Sequence, residues 1–416
     1  MKLGAKRWVY LIISMFICLC AGIGYAWSVF QNPIVSKFGW DAAAVSITFT
    51  LQIITSTMTP MLTGKLLKNI KTRKVILMGG ILLGACVFST GYINSIVQLY
   101  LIYGIGSGAG IGLIYPSLMA YSVKLFPDKM GVSAGMLAAS YGSGAIIWAP
   151  LAAGITSTHG VLAAFKVLGI IFLIVVCALS LFIGEIPKNY MAEANNAEAE
   201  YENNASSIDK TTREMVRTPV FYVVVLMFVF GISSGIMLMG HASPIIQSAL
   251  KFTPAKAAAI VGLLAVFNTC GRLFWGWASD KCGRYAVIFT LFTVQSVAMF
   301  SLSLVNSANM FIGLIFVVGL CYGGFATIIA PVTADLFGMK NLSSNYGFMY
   351  ISYGIAGVVG PMMASWMSEL NNGSYLQAFV AASTFGVIGL ALAAYIYMKS
   401  KKIELGVGLE SEYDAV

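Results

Sequence analysis

The sequence predicts an all-α integral membrane protein: twelve transmembrane helices arranged as two pseudo-symmetric six-helix bundles. Three observations predict it: a composition with too little charge for a water-facing surface, twelve apolar runs of membrane-crossing length, and an internal repeat that halves the chain. Of 416 residues, 58% are hydrophobic and 10% charged, against about 25% charged in a soluble domain. Lipid must cover most of such a surface, and in lipid a spanning segment has to satisfy its own backbone hydrogen bonds. Helices do this within one segment.

Apolar stretches of about 20 residues read as membrane helices. They fall at residues 8–30, 44–66, 75–93, 97–123, 130–156, 161–184, 219–240, 254–278, 286–305, 308–334, 345–368 and 375–398. The first follows Lys2, Lys6 and Arg7, as a secretory signal would. It runs on to Phe30, beyond the about 7–15 apolar residues of a signal, and reads as a retained span. With both termini cytoplasmic, the inner segments carry 20 Lys and Arg, and the outer loops carry only Lys37, Lys251 and Lys256. The remaining two of the 25, Lys166 and Arg272, lie within spans. This positive-inside asymmetry orients the chain in the cell's inner (plasma) membrane. It also accounts for the net charge of +9 without a nucleic-acid partner.

One long polar segment, 185–218, interrupts the spans; it is rich in Asn, Ala and Glu and shows no apolar face. The expectation is a mobile cytoplasmic linker. It separates an N-terminal six-helix bundle (1–184) from a C-terminal one (219–398), with 399–416 as a disordered cytoplasmic tail. The repeat divides the chain at the same place. Gly135–Gly142 parallels Gly347–Gly354 at an offset of 212, and Gly64 matches Gly276 at that offset. Leu125–Phe126 matches Leu336–Phe337 at an offset of 211. Three matches in order are hard to ascribe to chance. Two parallel repeats imply a substrate site between the halves, near the bilayer midplane.

The short turn between spans eight and nine reads Gly276-x-x-Ser279-Asp280-Lys281-x-Gly283-Arg284. Gly276 lets two helices approach, while Asp280 and Arg284 are placed to latch the inner side. Asp335, at the inner end of span ten, is the expected partner of Arg284. The first-half counterpart, Gly64 to Arg73, carries Lys68 where the acid stands, and Lys124 replaces the equivalent of Asp335. The Gly276–Arg284 turn resembles the signature loop of the major facilitator superfamily.

More narrowly, the chain resembles the oxalate/formate antiporter family, bacterial relatives of monocarboxylate transporters. The resemblance covers essentially all twelve spans. It is carried by Gly24-Tyr25-Ala26-Trp27, Leu125-Phe126-Pro127-Asp128-Lys129, Asn268-x-x-x-Arg272-x-x-x-Gly276 and Asn345-Tyr346-Gly347-Phe348. It implies a secondary active transporter of small organic anions working by alternating access, with the family's substrate-binding arginine at Arg272.

The residues themselves give that arginine an independent reading. An Arg within a membrane helix costs about 2.5–3.5 kcal/mol on insertion scales, and its neighbour one turn back is Asn268, not an acid. It either snorkels, pairs with another helix, or binds a substrate carboxylate through two parallel hydrogen bonds. Lys166, near a helix end, reads as a snorkelling cation. Tyr346, Tyr350 and Tyr353 recur at i, i+4, i+7, the spacing of one helix face. Tyr350 and Tyr353 are pocket candidates, and Tyr346 fits an interfacial belt equally well. Asn268 joins Arg272 as a candidate substrate-binding residue, and Tyr25, Tyr115, Tyr141 and Tyr322, in spans one, four, five and ten, complete the candidate lining, with ordinary packing as the alternative for each tyrosine. Thr48, Gln52 and Thr55 form a polar stripe that also reads as glue between helices.

The family's oxalate exchanger carries a lysine where this chain has Tyr353. Two fixed cations suit a dicarboxylate and one suits a single carboxylate, so lactate-, pyruvate- or formate-like substrates are expected, with oxalate/formate-type exchange as the alternative. No GxxxxGK[ST] loop and no Ser/His/Asp or Cys/His set occurs, and the seven cysteines are scattered singly. No cofactor, metal or enzyme activity is therefore expected; a channel, a receptor or an intramembrane enzyme are the distant alternatives. Expected partners are the carboxylate, a proton or counter-anion, and the bilayer, with the chain a monomer.

Overall fold

A computed structural model describes residues 6–186 and 209–404. Among them, twelve helices are long and apolar enough to cross a membrane: Lys6–Phe38, Ala44–Gly64, Thr72–Thr90, Ile96–Leu125, Pro127–His159, Val161–Ser180, Pro219–Leu250, Ala259–Cys282, Arg284–Leu302, Ala308–Phe337, Leu342–Leu370 and Leu376–Lys399. They are called spans one to twelve. Side chains standing out from them, such as Leu62, Ile174, Phe300 and Trp366, are themselves large and apolar. Such an exterior is stable against hydrocarbon and not against water.

Two spans outrun their apolar stretches. Span one continues past Phe30 to Phe38, and span seven continues past residue 240 to Leu250. Hydropathy marks where a helix meets lipid, whereas a helix ends where the backbone leaves helical dihedrals. In span one that happens at Gly39, at φ 68°, and in span seven at Lys251, at φ 54°. Other boundaries follow local signals: Pro219 and Pro254 occupy the first turns of their helices, where proline's missing N–H has no bond to lose. Ser95 and Gln98 close a capping box at the start of span four.

Four spans depart from α-geometry. Span one tightens to a 3₁₀ stretch at Gly22–Ala26, span four widens to a π-helix at Tyr100–Ser107, and spans five and eleven are interrupted at Ser143 and Tyr350. Such irregularities within spans concentrate at hinges and functional sites.

The chain forms two compact units. The first holds spans one to four, span five from Met136 onward, span six, and Tyr346–Tyr350. The second holds Pro127–Gly135, spans seven to ten, the rest of span eleven, and span twelve. The core of the second includes Leu264, Phe311, Ile315, Val318 and Phe379, all buried.

The linker expectation needs correction at its end. Residues 187–208, and the tail from residue 405, lie outside the described residues. Residues 209–218, expected to be mobile, are ordered. Thr212–Arg217 is a helix whose Thr211 and Glu214 form a capping box and whose Met215 is buried. The backbone N–H of Thr211 holds the Glu214 carboxyl below its usual range. Asn341 and Asn345 donate to the Lys210 carbonyl at 3.2 and 3.0 Å, and Thr212 Oγ1 donates to Asn345 Oδ1 at 2.9 Å. Hydrogen bonds to the start of span eleven and the residue just before it therefore order a segment that composition reads as unstructured.

Candidate functional site

Arg272 lies on the helix Pro254–Cys282, ten residues before its end and so about 15 Å in. The apolar run alone predicts that end at Ala278, about 9 Å away. The side chain is 2% exposed, so it has not snorkelled. Its Nε donates to Asn268 Oδ1 at 3.0 Å, one turn back on the same helix. Its carbonyl accepts from Thr327 Oγ1 of span ten at 3.4 Å. Span ten comes this close because residue 323 is glycine. A Cβ there would meet the Arg272 nitrogen at 2.8 Å and collide with the Asn268 carbonyl.

The same unit brings together Tyr322 and Tyr353, whose hydroxyls are hydrogen-bonded and whose rings lie 6.5 Å apart. The remaining candidate tyrosines assemble in the first unit. Tyr25 packs edge-on to Tyr141 at 5.4 Å, Tyr115 lies 4.4 Å from Tyr141, and Tyr350 lies 5.8 Å from Tyr115. Tyr346 joins through Tyr350 at 5.7 Å. It is fully buried, which removes its interfacial-belt reading. The interruption at Tyr350 also breaks the single face expected for Tyr346, Tyr350 and Tyr353. The first two join the aromatic chain, and the third pairs with Tyr322. Three of these residues sit at or beside the helix irregularities: Tyr25 in the 3₁₀ stretch, Tyr141 just before Ser143, and Tyr350 at its own break.

A third group involves charges and backbone. Asp280 Oδ1 and Oδ2 accept from the backbone N–H groups of Gly131 and Val132, each at 2.7 Å. These belong to the first turn of the helix Met130–Gly142, where N–H groups lack intrahelical acceptors and the helix dipole favours a carboxylate. Arg284 Nη1 braces Asp280 at 2.7 Å and bonds Ser279 Oγ at 2.7 Å, while its Nε reaches Asp335 at 3.2 Å. The approach requires glycine at both 131 and 276, since a Cβ on either would strike the other's carbonyl oxygen. The three charges and Ser279 are legible in the sequence motif, whereas their backbone partners have no side-chain signature.

Two polar residues outside these groups have partners on neighbouring segments. Lys166 Nζ lies over the Tyr92 ring at 3.8 Å. Gln52 Nε2 donates to Ser107 Oγ at 2.7 Å, which ties span two to the π-helical stretch of span four.

With this arrangement in place, sequence comparison is decisive about the family. The Major Facilitator Superfamily profile matches residues 11–268 and 225–407. The chain belongs to the Major Facilitator Superfamily. It is 27% identical over 415 residues to the oxalate:formate antiporter of Oxalobacter formigenes, covering 99% of this chain and 96% of that one. It is 24% identical to monocarboxylate transporter 12 of Mus musculus, covering 79% and 74%. Among solved structures, the proton:xylose symporter XylE superposes with a TM-score of 0.73 at 14% identity, covering 95% and 96%. That likeness concerns the fold alone. The superfamily member described here is a multi-pass membrane transporter.

Proposed function

We propose that this transporter is a secondary carrier of small monocarboxylates of the lactate, pyruvate or formate class, with Arg272 taking the carboxylate. The observation that carries the reading is a guanidinium held almost fully inside a membrane helix by Asn268. Fixing Nε fixes the plane of the group, which two-point recognition of a carboxylate requires. The names of the two relatives support an organic-anion substrate. A second reading, oxalate/formate exchange, is favoured by the antiporter's 27% identity across nearly the whole chain. Tyr353 counts against it, because that position offers a phenol and no second positive charge. The testing experiment is uptake of labelled mono- and dicarboxylates into proteoliposomes, with and without a pH gradient. Stimulation by the gradient indicates proton symport, and stimulation by internal anion indicates exchange. Absence of saturable carboxylate uptake under every condition refutes the reading.

In this proposal the chain lies in the cell's inner membrane with both termini and the 185–218 segment on the cytoplasmic side, as the Lys and Arg distribution requires. Reporter fusions within that segment should be active only as cytoplasmic reporters. A periplasmic reporter working there would invert the assignment.

Asp280, Arg284 and Asp335 act as a latch on the start of the helix Met130–Gly142. Asp280→Ala removes a cap that serves two backbone donors and is expected to cost about 2 kcal/mol. Arg284 would keep Asp335. Thermal unfolding of purified protein in detergent should show a lowered midpoint, with Asp280→Asn intermediate because it keeps one acceptor. An unchanged midpoint for Asp280→Ala would remove the capping role.

A further inference from the structure

The inner-side cations are answered differently in the two halves of the chain. In the second unit, Arg284 pairs with Asp280 at 2.7 Å and with Asp335 at 3.2 Å. In the first, Lys68 and Lys124 occupy the positions equivalent to those two acids. The turn between spans two and three holds Lys65, Lys68, Lys71, Arg73 and Lys74 and no acid. Among the described residues of the first unit there are two carboxylates, Asp41 and Glu185. Asp41 caps the outer start of the helix that carries span two, so Glu185 alone serves the inner end. It pairs with Lys71 at 2.5 Å. Arg73 and Lys74 stand next to that pair, both exposed, with no second carboxylate to meet them.

Cations this close in sequence lie within about one Debye length, roughly 8–10 Å, and repel one another unless anions gather there. Their depth says where the anions come from. Met78, one turn beyond Lys74 on span three, is an exposed apolar side chain, and so is Leu62 near the inner end of span two. The cations therefore stand about 6 Å along the helix from a hydrocarbon-facing surface, at headgroup level. We propose that the turn between spans two and three binds phosphodiester headgroups of anionic phospholipids in the inner leaflet, with Arg73 and Lys74 as its principal contacts. Arg73 can give a phosphate two parallel hydrogen bonds, and Lys74 adds a point charge. Clusters of four to eight Lys and Arg at the cytoplasmic end of a membrane helix attract anionic lipid in this way. The inference is independent of the substrate. It rests on the cytoplasmic placement of this turn, which the reporter fusions test separately.

The test uses purified full-length protein in vesicles of equal phosphatidylglycerol and phosphatidylcholine. After extraction in mild detergent, the lipids that remain bound are counted by native mass spectrometry. Wild type should retain phosphatidylglycerol over phosphatidylcholine by roughly thirtyfold, two exposed cations contributing about fivefold each. The double variant Arg73→Gln/Lys74→Gln should lower that ratio by about tenfold or more. Its carboxylate uptake in pure phosphatidylcholine should match wild type, which shows that it is folded. Lys281→Gln/Lys340→Gln removes two inner cations from the second unit and should keep the ratio within about threefold of wild type. Equal retention of the two lipids by wild type overturns the proposal without any variant. An undiminished ratio in Arg73→Gln/Lys74→Gln overturns it too. An equal fall in both double variants would mean that total charge, and not this turn, recruits the lipid, and that also overturns it.

Discussion

Arg272→Ala is expected to lower carboxylate transport by roughly 10²–10³-fold, the consequence of truncating one member of a buried, hydrogen-bonded charge pair at about 2–5 kcal/mol. The loss should not trace to failed insertion. Removing an arginine from inside a membrane helix relieves about 2.5–3.5 kcal/mol of insertion cost, so the variant should reach the membrane at least as well as wild type. Asn268 would lose the donor that faces its Oδ1, a local loss within a helix fixed at many other points. Arg272→Lys should recover transport only partly, since an ammonium on a flexible stem keeps the charge but not the planar two-point contact. Uptake normalised to protein recovered as a monodisperse peak provides the check. Transport by Arg272→Ala close to the wild-type rate would remove this residue from substrate binding.

The second large effect concerns Tyr353. A dicarboxylate entering a site with a single guanidinium leaves its other carboxylate desolvated and unpaired, at a cost of several kcal/mol. A phenol offsets only about 1 kcal/mol of that with one hydrogen bond, and the Tyr353 hydroxyl is already bonded to Tyr322. Tyr353→Lys supplies the missing cation and should shift the oxalate-to-lactate preference toward oxalate by about tenfold or more. It should also weaken binding of monoanions, which leave the new ammonium unpaired. Tyr353→Phe separates the two consequences of the change. It removes the Tyr322–Tyr353 hydrogen bond without adding charge, and it should move the preference by less than about fivefold. An equal shift in both variants would mean that the hydroxyl pair, and not the charge, sets selectivity.

Much of this molecule was legible in its sequence because membranes make composition speak. Twelve apolar runs became twelve spans, since hydrocarbon permits few other uses for such segments. Arg272 stood out because charge within a span is costly, and the Asp280, Arg284 and Asp335 set stood out by its spacing. What escaped has physical reasons. The ends of spans one and seven are set by single left-handed residues, Gly39 and Lys251, which hydropathy does not weigh. The interruption at Tyr350 is one residue long and lies in Tyr350-Ile351-Ser352-Tyr353, a sequence with no helix breaker, so the periodic tyrosines read as one face. Asp280 binds backbone N–H groups, and any residue type except proline can supply those. The ordered segment before span seven was different. Thr211-x-x-Glu214 is a readable capping signal, but the average polarity of its surroundings masked it.

The most direct test of the central claim is competition in wild-type proteoliposomes. Uptake of labelled pyruvate is measured against increasing lactate or oxalate, at fixed pH and with unlabelled carboxylate inside. A carrier built around one guanidinium predicts saturable uptake for which lactate is the better competitor. Oxalate outcompeting lactate by about tenfold or more, equivalent to about 1.4 kcal/mol in its favour, would contradict the single-cation account and restore the dicarboxylate exchanger.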